Sequence, residues 1–173
     1  MQNIYEIFHK NRHLQKKIIK GRNFTYINLL PLINKYLEGK ENILDVGCGV
    51  GTIDFFMANK GKKVTGIDIS YKAITLCKAN AKLLNLSGRL DFFSGDFLSL
   101  RISGKFDLII CRNILIYFSK DFQEKIITDF HKILKSNGYL VLGKVEILTG
   151  FVKNLFETIN RKERVFRKID NSN

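Results

Sequence analysis

Cysteine and proline are scarce in this 173-residue chain, and no apolar run approaches the ~20 residues that cross a bilayer. The three cysteines, Cys48, Cys77 and Cys111, are too few and too scattered for a disulfide framework. They suit a reducing compartment, so a cytoplasmic location is expected. No Cys-x-x-Cys pair and no Cys/His cluster with zinc spacing is present, so no metal site is expected. The opening residues, Met1-Gln2-Asn3-Ile4-Tyr5-Glu6, lack the basic and apolar regions of a secretion signal. The only proline is Pro31, and no repeat or low-complexity stretch interrupts the chain. What is present is ordinary globular usage, 45% hydrophobic and 26% charged, which excludes a disordered chain and fits one domain.

The net charge is +13. Residues 1–40 carry +6, residues 41–150 carry +4 and residues 151–173 carry +3, so the ends are the basic parts. An anionic partner such as nucleic acid is one reading of that distribution. A lysine-rich solvated surface is the other, and no aromatic–basic interleaving supports RNA recognition.

Residues 3–20 and 24–38 have helical spacing, with Pro31 starting or kinking the second segment. Residues 1–40 therefore form a helical segment, a candidate lid, and residues 41–173 a second part of the same folded unit. Strands are expected at Ile43–Val46, Lys63–Ile67, Leu90–Phe93, Phe106–Cys111 and Tyr139–Leu142. Helices are expected at 52–60, from a Ser70 cap to about Leu86, and from a Ser119 cap to Asn137-Gly138. Leu155–Ile159 and Arg164–Ile169 pair as a terminal hairpin. The alternation gives an α/β, doubly wound, mainly parallel sheet of Rossmann-like type with an antiparallel C-terminal strand. In such sheets ligands bind beyond the carboxyl ends of the strands.

At the first strand end stands Asp45-Val46-Gly47-Cys48-Gly49-Val50-Gly51. A dinucleotide turn needs G-x-G-x-x-G, whereas this one reads G-x-G-x-G and then Thr52, which argues against NAD or FAD. Asp45 beside the turn suits a cationic ligand. Asp68, ending the second strand 21 residues after Gly47, suits two ribose hydroxyls. Asp96, after the third strand, suits an adenine amino group or a helix cap, and Phe97 can contact the ring.

These segments, Ile43–Gly51, Gly66–Ile69, Gly95–Phe97 and Phe106–Cys111, resemble in order the motifs of class I S-adenosylmethionine-dependent methyltransferases. The resemblance spans about residues 41–143 and continues to the hairpin, and it implies a seven-stranded sheet. It implies S-adenosyl-L-methionine as cofactor, with S-adenosyl-L-homocysteine as product. It places the methionine part at Asp45 and the turn of Gly47, Cys48, Gly49 and Gly51, the ribose at Asp68 with Ile69 beside it, and adenine at Asp96 and Phe97. Cys111 and Arg112, at the fourth strand end, complete that implied site. Methyl transfer from a sulfonium needs in-line placement more than an acid or base.

Phe106–Phe118, Gly138–Gly143, Glu146 and Arg164–Lys168 further resemble the catalytic domain of chemotaxis receptor glutamate methyltransferases. That likeness implies that Arg112 and Asn113 help form the cofactor site and that Tyr117 lies near the methyl donor, so Asn113 and Tyr117 are the candidate catalytic residues. Lys144 and Val145 depart from that family's His-Ser, and Gly51-Thr52-Ile53 looks like the small-molecule methyltransferases. A small-molecule acceptor is therefore expected. Protein-carboxyl or RNA methylation and a non-catalytic adenosylmethionine-binding module are the alternatives. No Asn-Pro-Pro-Tyr sequence points to amino-nitrogen methylation, and Cys111 reads as packing rather than as a covalent nucleophile. His9 and His13, four apart, read as a solvated helix face, His131 has no evident partner and Cys77 reads as packing. Arg22 and Tyr26 are weaker candidates near an acceptor.

Overall fold

The computed structural model describes residues 28–170 except 101 and 103. The expected helix at 3–20 and the start of the segment expected at 24–38, and with them His9, His13, Arg22 and Tyr26, lie outside the described residues. The first helix described, α1 (Leu29–Tyr36), buries Leu29, Leu30 and Ile33. Pro31 sits in its first turn, where the N–H has no intrahelical partner, so it belongs to the start of the helix.

Strands and helices then alternate: β1 (Asn42–Val46), α2 (Thr52–Asn59), β2 (Lys63–Asp68), α3 (Tyr71–Leu83), β3 (Leu90–Ser94) and β4 (Phe106–Cys111). A single 3-10 turn (Leu115–Tyr117) leads to α4 (Lys120–Ile133) and β5 (Leu134–Leu142). A second 3-10 segment (Gly150–Leu155) precedes β6 (Phe156–Asn160) and β7 (Val165–Lys168). The sheet has seven strands in the order β3-β2-β1-β4-β5-β7-β6. Its first five are parallel, and β7 runs antiparallel to both β5 and β6. The expected fold and terminal hairpin are both present.

Both faces of the sheet are covered, which is why the central strands read as near-continuous apolar runs. Ile43, Leu108, Ile110 and Val141 point into one core layer with α1, α2 and α3. Leu44, Ile109, Leu140 and Leu142 point into the other, beneath α4. Each buried Leu or Ile contributes about 1.5–3 kcal/mol. Asp107 ties the lower edge together, accepting from Glu41 N–H, Asn42 N–H and Lys135 Nζ at 3.1, 2.9 and 2.9 Å.

Three helix ends differ from expectation, the first being the start of α4, where Ser119 stands at the N-cap but its side chain makes no capping hydrogen bond. Ser70 does cap α3, its Oγ accepting from Ala73 N–H, but the helix stops at Leu83. Helix α4 stops at Ile133, four residues before Asn137, and runs directly into β5. Leu134 is buried opposite Phe106, and the register then slips so that Tyr139 faces Leu108. Asn137 is left-handed, with φ 56°, within that bulge rather than as a helix cap.

Candidate active site

The carboxyl ends of β1, β2, β3 and β4 meet at the glycine turn. Gly47 and Cys48 N–H groups donate to Ile67 O at 2.8 and 3.0 Å, which locks the turn to the end of β2. Gly47, Gly49 and Gly51 all have positive φ, 74°, 56° and 75°. A Cβ at Gly47 would run into the Ile114 side chain beyond β4. At Gly49 it would meet nothing within 4 Å, so the turn presents bare backbone to open space there.

Asp68 holds this edge. One carboxylate oxygen accepts Gly49 N–H at 2.8 Å and the other accepts Ser70 N–H at 2.8 Å. A carboxylate has about four acceptor positions, so each oxygen keeps capacity for a hydroxyl. Ile69, next to it, is 79% exposed. On the far side Gly95 N–H donates to Asp68 O at 3.0 Å, bringing Asp96 beside the same edge. Asp96 Oδ1 accepts Leu98 N–H at 3.0 Å and organises a turn, so of its two expected roles the helix cap is not the one it plays. Phe97 is half-buried, with its ring 6.4 Å from Phe118 and 6.2 Å from Phe130.

Beneath the glycine turn lies a second carboxyl that the motif reading does not contain. Asp54, in the first turn of α2, is completely buried beside Asp45. Burial, then the Asp54 charge, raises the Asp45 carboxyl well above the usual carboxylate range, against the pull of Arg112. Burial pushes Asp54 itself up to about 7. The sequence signal for Asp54 is a lone acid among Ile53, Phe55, Phe56, Met57 and Ala58.

At the fourth strand end Glu146 gathers the chain. Its carboxylate accepts N–H groups of Asn113 (3.0 Å), Ile114 (2.9 Å), Leu115 (2.7 Å) and Gly143 (2.6 Å). Gln123 Nε2 donates to Leu115 O and Phe118 O, both at 2.9 Å, and fixes the other side of the same loop. Asn113 adopts φ 59°, a turn that asparagine tolerates better than most residues. Tyr117 is 67% exposed at the rim. Cys111 is fully buried, and burial with the nearby Glu146 charge raises its thiol well above its ordinary value. It is not a thiolate nucleophile, and its side chain faces the core, so only its backbone can contribute to a ligand site. Cys48 and Cys77 are buried and raised as well, and Cys77 Sγ lies 3.5 Å from Gly49 O.

The structure thus brings Asp45, Gly47, Cys48, Gly49, Gly51, Asp68, Ile69 and Asp96 to one edge and places Arg112, Asn113 and Tyr117 on the adjoining loop. Among the described residues no group of three His, Cys, Asp or Glu can hold a metal ion, and no helix is long and apolar enough to cross a membrane. His131 Nε2 lies 3.0 Å from Ile169 O, a contact with the C-terminal strand away from the glycine turn.

The donor set fits S-adenosylmethionine. Acids lie under and beside the turn, a stretch of backbone at Gly49 is open, and Asp68 keeps acceptor capacity for a ribose. Known proteins agree. The ribosomal protein L11 methyltransferase of Campylobacter lari is 31% identical over 151 residues, which are 85% of this chain and 50% of that protein. A chemotaxis protein methyltransferase of Vibrio anguillarum is 41% identical over 71 residues, 41% of this chain and 26% of that protein. The chain thus spans half or less of the length of these two relatives. PKMT2 from Rickettsia typhi, solved in complex with AdoHcy, superposes with a TM-score of 0.52 at 28% identity, covering 60% of this chain and 20% of that one. Residues 37–171 match the methyltransferase domain family, and with the seven-stranded fold and its glycine-turn edge the chain belongs to that family, among the class I S-adenosylmethionine-dependent methyltransferases.

Proposed function

We propose that this protein transfers a methyl group from S-adenosylmethionine to a small, largely apolar acceptor that approaches over the ends of β4 and β5. The donor supplies an activated methyl on a sulfonium, and the protein's part is binding and alignment. Gly49 and Asp68 would hold the donor, with Asp96 and Phe97 at its adenine end. Asn113 and Tyr117 would position the acceptor for in-line attack, with no metal or nucleophilic side chain required.

The observation that carries the acceptor class is the apolar rim on that side. Ile116, Tyr117, Val145, Ile147 and Phe151 are 49%, 67%, 73%, 52% and 56% exposed, on segments that Glu146 latches together. Apolar side chains exposed together beside a candidate site favour an acceptor that covers them. Residues 143–155 link β5 to β6 directly, without an inserted substrate domain. The 71-residue match to a chemotaxis methyltransferase favours a second reading, transfer to a protein carboxyl group.

The test is transfer of labelled methyl from S-adenosylmethionine into a fractionated cell extract, with Asp68→Ala as control. Label in an organic-soluble small-molecule fraction, absent in the control, is the expected result. Base-labile label on protein would favour the carboxyl reading, and no label in any fraction would sink the proposal.

A further inference from the structure

We propose that Asp54 and Asp45 form one proton-sharing carboxyl pair under the glycine turn, and that binding of the cationic donor expels the shared proton, which makes Asp54 a binding determinant for S-adenosylmethionine. The inference rests on reading the glycine turn as the donor site.

Geometry carries the pairing. Asp54 is 0% exposed and Asp45 5% exposed. Among the described residues no other residue gives either Asp54 oxygen an N–H or O–H donor. Two bare carboxylates cannot hydrogen-bond each other, whereas a proton between them supplies the missing donor. The sequence makes room for this arrangement at Gly66. A Cβ there would come within 2.6 Å of Asp54 Oδ1, and Gly66 stands directly opposite Asp45 in the β1–β2 register. Thus β1 supplies one carboxyl, α2 the other, and β2 a glycine opposite the first whose Cβ would crowd the second as well as the Phe92 ring.

The groups facing the pair are known from every side. Asp68 approaches from the end of β2, Cys48 from the turn and Cys77 from α3, while Arg112 acts on Asp45 from beyond β4. Burial, the mutual repulsion of the pair and the charge of Asp68 outweigh one arginine and favour a retained proton in the free protein, while the two thiols stay neutral. A donor carrying a sulfonium and an ammonium reverses that balance. An apolar side chain at position 54 would pack as well without the cost of burying a carboxyl. The carboxyl O–H bond breaks, its electron pair stays on the carboxylate, and the proton passes to water or buffer.

Calorimetric titration of the wild-type protein with S-adenosylmethionine at pH 7, in two buffers of different ionisation enthalpy, reads the proton directly. Release approaching about one proton per donor is expected. Binding with no buffer dependence would overturn the inference while leaving the donor site intact. No binding in either buffer would remove the donor-site reading and the inference with it. Asp54→Asn should abolish the release and weaken donor binding about tenfold at pH 8, without lowering the melting temperature of the free protein. A variant that melts lower yet binds the donor as tightly as wild type would show Asp54 to be packing and overturn the proposal. Should Asp54→Asn fail to fold, the wild-type proton count still decides.

Discussion

The N–H of Leu115 donates to Glu146 Oε1 at 2.7 Å across 31 residues of sequence, in a buried contact. Three more backbone N–H groups converge on the same carboxylate. A glutamine keeps one acceptor oxygen and turns a donor toward the remaining N–H groups. Glu146→Gln should therefore lose about 2–4 kcal/mol of stability, the scale of one or two buried unsatisfied donors, as read by urea unfolding. Because the latched loop carries Asn113 and Tyr117, the folded variant should lose about 100-fold in kcat. Its donor Kd should stay within about threefold, since the glycine turn keeps its own bonds to β2. Equal losses in kcat and donor affinity would mean that Glu146 serves the whole edge rather than the acceptor side.

Asp68→Ala removes the acceptor for Gly49 and Ser70 N–H groups as well as the candidate ribose contact. Donor affinity should fall by about 1.5–3 kcal/mol, the range for hydrogen bonds to a charged group. Equilibrium dialysis with labelled S-adenosylmethionine measures it. Unchanged affinity would remove Asp68 from the site.

Much of this was readable in the chain, and the misses share a cause. The strands were legible because both sheet faces are buried, so runs such as Phe106–Cys111 are apolar throughout. The glycine turn and Asp68 were legible because short-range spacing dictates them. Glu146 was visible as part of a motif, but its four amide partners lie on segments that only the folded sheet brings together. Asp54 carries no such signal because it belongs to the apolar stretch of α2, where one acid looks incidental, and only the folded sheet brings Gly66 of β2 against it. The early end of α4 followed from a register slip against β4, which no local signal at Asn137-Gly138 encodes.

Two carboxyls should give stability opposite dependences on pH. Against the cost of burial, N–H donation from Asn42, then Lys135 and Glu41 N–H, holds Asp107 below the usual carboxylate range. Its contribution is complete above the unfolded value of about 4 and is lost as pH falls through the lower folded value. Asp54, raised to about 7, carries the reverse sign. Its penalty is absent below about 4 and grows as pH rises through the window up to about 7. Asp107→Asn should flatten the acid limb of a stability–pH curve, and Asp54→Asn should raise stability between pH 5 and 8. Denaturant midpoints across pH 2–8 separate them, and an acid limb unchanged in Asp107→Asn would contradict the first assignment.

The glycine turn allows folding and binding to be separated at neighbouring positions. At Gly47 and at Gly49 the positive φ strains any other residue, by about 1 kcal/mol for alanine. A Cβ at Gly47 also collides with Ile114, so Gly47→Ala should lose well over 1 kcal/mol through displaced packing. At Gly49 the Cβ enters open space, and the free protein should lose only the strain. That open space is where a donor would approach the backbone, so Gly49→Ala should bind S-adenosylmethionine at least about tenfold more weakly, a loss of about 1.4 kcal/mol. Thermal melts of the free variants paired with calorimetric titration test the contrast. If Gly49→Ala bound the donor normally while remaining folded, the bare backbone of the turn would not be a ligand surface.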